Sequence, residues 1–255
     1  MKQLATILLA VGTCAFLANS LSAQVRVGGK VGANYLAGSQ KIQPDPKNPP
    51  TNPNGLGMQF GAYVEVPFSD LVGIRPELAF SFRRMKSETS VTTKYAQADN
   101  VTYGGLPFVG EETILSETDQ RLTYFQVNAP LTIKPAQGLR VMFGPSFNFL
   151  MGGKRNTDNT STVKGTVTNQ GQQQNVDAQS FETSKLKGSA AIRNFKKTDV
   201  AVMAGLGYTL PVGFDLDLRY LRGLTTTYDE SAGTSRYRIW TNLVEFSLGW
   251  TFGGG

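Results

Sequence analysis

Asp215, Asp217 and Arg219 stand two apart in one short stretch, a spacing that puts all three on one side of an extended chain. Two carboxylates beside a guanidinium can hold an ion or pass a proton. They can also neutralise one another as a salt-bridge network, and that structural reading is preferred. Residues of the same kind recur as Glu65, Arg75, Glu77, Arg83 and Arg140. The chain contains no histidine, which removes Ser–His and Asp–His hydrolysis in their usual forms and His-based zinc. Carboxylate-only chemistry in the loops is what remains, so no catalytic residue, metal or cofactor is expected. The single cysteine, Cys14, lies in an N-terminal apolar stretch. Without it the rest of the chain has no thiol for a disulfide or a metal site. Acylation of Cys14 is disfavoured, because Val11-Gly-Thr precedes it and much apolar sequence follows. Gly28, Gly32, Gly205 and Gly207 are followed by no helix and so make poor phosphate loops. They read instead as room for long charged side chains.

The elements that must carry these residues are strands. Residues 1–23 read first as an export signal: Lys2, an apolar run from Leu4 to Leu17, and small residues up to Ala23, with cleavage before Gln24. The domain then spans residues 24–255. Its alternation has a period of two. Val212, Phe214, Leu216, Leu218 and Tyr220 alternate with Gly213, Asp215, Asp217 and Arg219. Seven further segments behave alike, around Val27, Phe60, Leu78, Val127, Val141, Val202 and Phe246. Each is near the nine to eleven residues that cross a bilayer at a tilt. The connections alternate strictly. Phe68 to Asp70, Pro135 to Gly138 and Leu210-Pro211 are tight. Leu36 to Leu56, Met85 to Gln120, Gly152 to Thr198 and Gly223 to Arg236 are long. Short periplasmic turns and long extracellular loops are the habit of outer-membrane barrels. The expected fold is therefore all-β, a closed antiparallel eight-stranded transmembrane barrel.

One face of the segments taken together holds Lys30, Glu65, Arg75, Glu77, Arg83, Arg140, Asp215, Asp217, Arg219 and Glu245 with Gly and small polar residues between, and the other is rich in Phe, Val and Leu. Mixed charge in a narrow space is expected to pair, because an unpaired buried charge is costly. The charged face is thus assigned to the interior and the apolar face to lipid. Tyr35, Tyr208, Tyr220, Trp240, Trp250 and Phe252 fall near strand ends, where interfacial aromatics gather. Hydrophobic residues make up 40% of the chain and the mean hydropathy is −0.20. Both values hide a barrel whose strands show lipid only every second residue. Without Lys2 the chain keeps 24 basic and 19 acidic residues, a net of +5. No basic run interleaved with aromatics appears, so nucleic acid is not an expected partner. Pro76 and Pro130 sit inside strands without a ladder donor and are expected to mark bulges or bends. Gln40 to Pro50 is proline-rich and reads as a stiff loop. The Gly152–Thr198 connection, with Gln170-Gly-Gln-Gln-Gln-Asn175, is polar and reads as mobile, although the long loops could also hold hairpins that extend the strands.

Four stretches together resemble the PorT-type outer-membrane β-barrel domain family of Bacteroidetes. They are Arg26-Val-Gly-Gly-Lys-Val-Gly-Ala-Asn34, Val72-Gly-Ile-Arg-Pro-Glu-Leu-Ala-Phe80, Leu122-Thr-Tyr-Phe-Gln-Val-Asn-Ala-Pro-Leu-Thr-Ile-Lys134 and Phe246-Ser-Leu-Gly-Trp-Thr-Phe252. The ending departs from that family, since Gly253-Gly-Gly255 follows the last aromatic residue. The resemblance implies a cell outer-membrane address and no particular activity. The expected partners are outer-membrane lipid and lipopolysaccharide, the barrel-assembly machinery and a membrane-protein partner. The expected function is a non-enzymatic membrane component that binds or supports partners through its loops. A narrow channel or small-solute transporter and a secretion-system-associated subunit are the alternatives.

Overall fold

The computed structural model describes residues 25–252, position 47 apart. The export signal with Cys14 and the closing Gly253–Gly255 lie outside them. Twelve strands form one antiparallel system: β1 (Arg26–Gln43), β2 (Asn54–Pro67), β3 (Val72–Ile74), β4 (Glu77–Tyr95), β5 (Thr102–Tyr103), β6 (Leu106–Asn128), β7 (Leu131–Ala136), β8 (Leu139–Asn169), β9 (Gln172–Lys187), β10 (Thr198–Thr209), β11 (Phe214–Ala232) and β12 (Ser235–Phe252). The strand β1 pairs with β2 on one side and with β12 on the other. Following hydrogen-bonded neighbours through β12, β11, β10, β8, β6, β4 and β2 leads back to β1.

The count of eight strands is corrected to twelve, and the residues explain the difference. Two of the additional strands come from proline. The break between β3 and β4 falls at Arg75-Pro76, and that between β6 and β7 at Ala129-Pro130. Proline has no N–H to give a ladder. Register runs through both breaks: Val66 faces Ile74 and Tyr63 faces Glu77 along one continuous pairing, as Leu131 faces Phe143 and Asn128 faces Ser146 along another. The proline carbonyls still accept, from Val64 N–H at 2.9 Å and Arg75 N–H at 2.9 Å. The other two strands, β5 and β9, lie inside connections read as loops.

The reading of Gly152–Thr198 as mobile is corrected too. From Lys154 to Asn169, β8 pairs residue by residue with β9, because alternating Thr, Val and polar residues suit a solvated strand. With 31 residues, β8 reaches about 100 Å at roughly 3.3 Å per residue. An apolar membrane band needs only about 25 Å. The outer parts of β4, β6 and β8 together with β9 therefore make a four-stranded blade beyond the ring. Its tip has a small core of its own. Phe108 is buried and packs at 6.2 Å from the ring of Tyr95 and 6.0 Å from that of Tyr103. It lies over Gly110 and Gly165, where a Cβ would collide with the phenyl ring.

Removing a buried phenyl costs on the order of 3 kcal/mol. Phe108→Ala is expected to open the blade tip to protease near residues 97–105, while the folded gel band of the unheated protein stays intact. Tip cleavage no faster than in the parent protein would show that the core around Phe108 does not hold the blade.

Candidate functional site

Alternation decides what enters the ring. Arg75, Glu77, Arg83, Arg140, Asp215, Asp217, Arg219 and Glu65 are all buried, and so are Lys30, Asp199 and Glu245. The opposite face of the same strands is exposed and apolar, with Val31, Phe60, Phe80, Phe143, Leu218 and Phe246 among its residues. This is a protein with charge inside and hydrocarbon outside. Such an arrangement is stable when the outer solvent is hydrocarbon and the inner charges are paired.

Glu77 is the centre of the network. It accepts from Lys30 Nζ at 2.5 Å, from Arg219 Nη1 at 2.5 Å and Nη2 at 2.7 Å, and from Asn128 Nδ2 at 3.3 Å. Arg75 Nε lies 3.4 Å from Oε1, the oxygen that Arg219 Nη2 also engages. Asp217 receives Arg140 Nη2 at 2.6 Å and Arg219 Nη2 at 2.8 Å. Asp215 receives the Tyr63 and Thr209 hydroxyls, each at 2.6 Å, and lies 3.4 Å from Arg75 and from Arg140. The Arg75 guanidinium also covers the Tyr63 ring at 3.5 Å, a cation–π contact strengthened by desolvation. In the ring order β4 and β11 stand opposite one another. The Glu77–Arg219 pair therefore spans the interior from wall to wall.

Two predicted members lie apart from this centre. Arg83 donates to Asn148 Oδ1 at 2.6 Å, faces Asp199 at 3.7 Å and lies 4.4 Å from the Tyr124 ring. Glu65 sits at the short-turn end and binds Arg26 at 3.0 Å and Lys134 at 2.5 Å. Close packing depends on glycine at particular points. A Cβ on Gly207 would overlap Asp217 and Arg140, and one on Gly28 would overlap the Tyr63 ring. Tyr63 and Asp199 were missed as network members, although both fall on the inward parity of their strands.

The long-loop mouth is apolar. Leu36, Met85, Leu122, Tyr124, Phe195, Tyr228 and Ile239 form a buried cluster. Phe195 comes from the segment before β10, which folds over the opening. Its ring meets Tyr228 at 4.9 Å. Lys196 N–H donates to Thr227 O at 2.9 Å, and Gln120 Nε2 to Ala191 O at 2.8 Å. Phe195 lies in a polar connection, and no periodicity marked it.

The six aromatics lie on the outward face. Trp250, Phe252 and Tyr208 are exposed near the short turns, with Trp250 against Phe214 at 4.3 Å. Tyr35 and Tyr220 flank Val244 on either side. The next outward row is polar: Asn242 donates to Ser39 Oγ at 3.0 Å and accepts from Arg222 at 3.1 Å. Trp240 follows beyond it.

Glu77→Gln leaves Lys30 and Arg219 short of a counter-charge. It is expected to cost about 3–5 kcal/mol, as for a broken buried pair, read as a lower urea midpoint of the folded gel band. Glu77→Gln with Arg219→Met together should recover part of that loss. A cost below about 1 kcal/mol, the range of an exposed pair, would mean that water screens this interior.

Among solved structures, Ail, the attachment invasion locus protein of Yersinia pestis, is 13% identical, with 86% of this chain and 97% of that chain covered and a TM-score of 0.28. The outer membrane protein OprG from Pseudomonas aeruginosa is 11% identical, with 91% and 98% covered and a TM-score of 0.34. Neisserial surface protein A is 12% identical, with 85% and 95% covered and a TM-score of 0.26. Likeness at this level says nothing of what the chain binds. No curated protein matches it. The family model described as "Outer membrane protein beta-barrel domain" does match, over residues 17–229, most of the chain and nearly every strand that carries the inward charges. The charges of this sheet turn in and its aromatics turn out, and with that match the chain belongs to the outer-membrane β-barrel domain family and resides in the outer membrane.

Proposed function

We propose that the eight strands β1, β2, β4, β6, β8, β10, β11 and β12 are the staves of a closed barrel. Its interior is sealed, and its work is to hold the blade at the cell surface for a partner. In this reading the short turns are periplasmic and the blade is extracellular, as in outer-membrane barrels generally. One observation carries the proposal. The β6–β8 ladder runs from Asn128↔Ser146 in the wall to Phe108↔Val167 at the tip, with a single register shift beside Thr123. The blade is thus a continuous extension of the wall ladder. Its far strand β9 pairs with β8 alone among the described residues, which leaves one edge open for strand addition. Phe181 on that strand is 75% exposed. The charge network and the cap at Phe195 oppose conduction, since an eight-stranded interior has room for little beyond its own side chains. The protein acts without catalysis in this reading.

A narrow channel is the second reading. It is favoured by interior polar atoms that no protein group engages: both amide atoms of Gln59, Glu245 Oε2 and Ser247 Oγ. A narrower form of the main reading is a subunit that works beside other membrane proteins in secretion.

Two measurements test this. Purified protein in planar bilayers is expected to be electrically silent. Steady openings that disappear on Arg75→Ala or Asp215→Ala would establish the channel instead. With Cys14 removed alongside the signal, Gln179→Cys should be labelled on intact cells by a membrane-impermeant maleimide. Labelling only after lysis would reverse the orientation.

A further inference from the structure

Four basic residues occupy one cross-strand row of the blade root. Arg84 faces Arg121, Arg121 faces Lys154, and Lys154 faces Lys187. Like charges directly opposite one another destabilise a sheet, so the row calls for a counter-charge. The chain supplies one carboxylate. Asp119 accepts from Arg84 Nε and Nη2, each at 2.8 Å, and lies 3.6 Å from Arg121. Lys154 and Lys187 form no ion pair among the described residues and are exposed. The next row adds Lys86 and Lys185, both exposed, beside Asp119 and Asn156. The row after that turns acidic with Glu88, Glu117 and Asp158, which confines the cationic strip to two rows.

The position of the strip identifies what it faces. Its side chains share the outward parity of Phe80 and Phe82 on β4 and of Phe125 on β6. Phe60, Phe80, Phe82 and Phe125 form a contiguous aromatic patch with ring centroids 5.6–6.0 Å apart. The first cation, Arg84, follows Phe82 by two residues. The surface thus passes from hydrocarbon to cation within one strand repeat. At the other end of the barrel the outward residues are Val27, Val64, Ile133, Val141, Tyr208 and Phe252, with no charge among them. The cations that end does hold, Arg26 and Lys134, turn inward to Glu65. The cations of the lipid boundary are thus concentrated on one rim.

We infer that this row holds the phosphates of an anionic glycolipid in the outer leaflet. Four residues on strands about 4.8 Å apart span roughly 14 Å, enough to engage a headgroup with more than one phosphate. Arginine binds phosphate through a planar fork and lysine as a point charge. The acyl chains would lie on the aromatic patch below. This inference rests on the orientation proposed above, which puts the strip in the outer leaflet. The maleimide experiment tests that orientation separately.

Binding of bisphosphorylated lipid A to the full detergent-solubilised protein, followed by native mass spectrometry, is the test. The triple variant Arg121→Gln/Lys154→Gln/Lys187→Gln is expected to lose at least about tenfold in affinity, and Lys154→Gln and Lys187→Gln singly about threefold each. Lys164→Gln, farther out on the same face, should bind as the parent does. The folded gel band checks each variant, and the single variants decide the matter if the triple one does not fold. Dephosphorylated lipid A should bind at least tenfold more weakly than the bisphosphorylated form. Equal binding by parent and variants, or by the two lipids, overturns the inference. So does full competition by millimolar inorganic phosphate, which would reduce the row to a site for free anions.

Discussion

Glu77 and Arg219 meet across the full width of the interior, from strands that stand opposite each other in the ring. The rest of the structure depends on that meeting. An outward face of Phe, Val and Leu can be presented to lipid only if the inward face is polar, and an inward face of charges is tolerable only if they neutralise at close range. Glu77, Asp215 and Asp217 are shared among Lys30, Arg75, Arg140 and Arg219 so that each carboxylate touches at least two cations. Sharing of this kind couples strands that have no backbone contact. It also explains the buried tyrosine: Tyr63 supplies a hydroxyl to Asp215 and a ring face to Arg75.

The interior changes character along its length. Charge dominates near the short turns, while Phe195, Tyr228 and Ile239 fill the opposite mouth with apolar contacts. The segment that carries Phe195 follows β9, so the blade and the cap are consecutive parts of one connection. A strand that leaves the wall must return to it, and the return path from β9 to β10 crosses the mouth. The apolar cap and the blade are in this sense one topological consequence.

Charge is also sorted between the two faces and the two ends. Cations near the short turns point inward and are neutralised by Glu65. Cations at the blade root point outward and greatly outnumber the carboxylates within reach. A single parity step in the sequence separates these outcomes, because successive residues of a strand face opposite ways.

Parity was legible in the sequence. The alternation around Asp215, Asp217 and Arg219, and around Arg75 and Glu77, placed each on the buried side, since period-two patterning depends on neighbours in the chain alone. The prolines at 76 and 130 likewise marked where ladders break. Which charges meet was not legible. Glu77 and Arg219 are 142 positions apart, and their contact exists only when the sheet curls until β4 faces β11. The blade escaped for a related reason: residues 154–187 are mostly polar, so no sustained apolar alternation announced β9, and its pairing with β8 emerges from register. Local pattern thus determined which way each side chain points, whereas ring order and register decided what it meets, because those depend on how distant strands align.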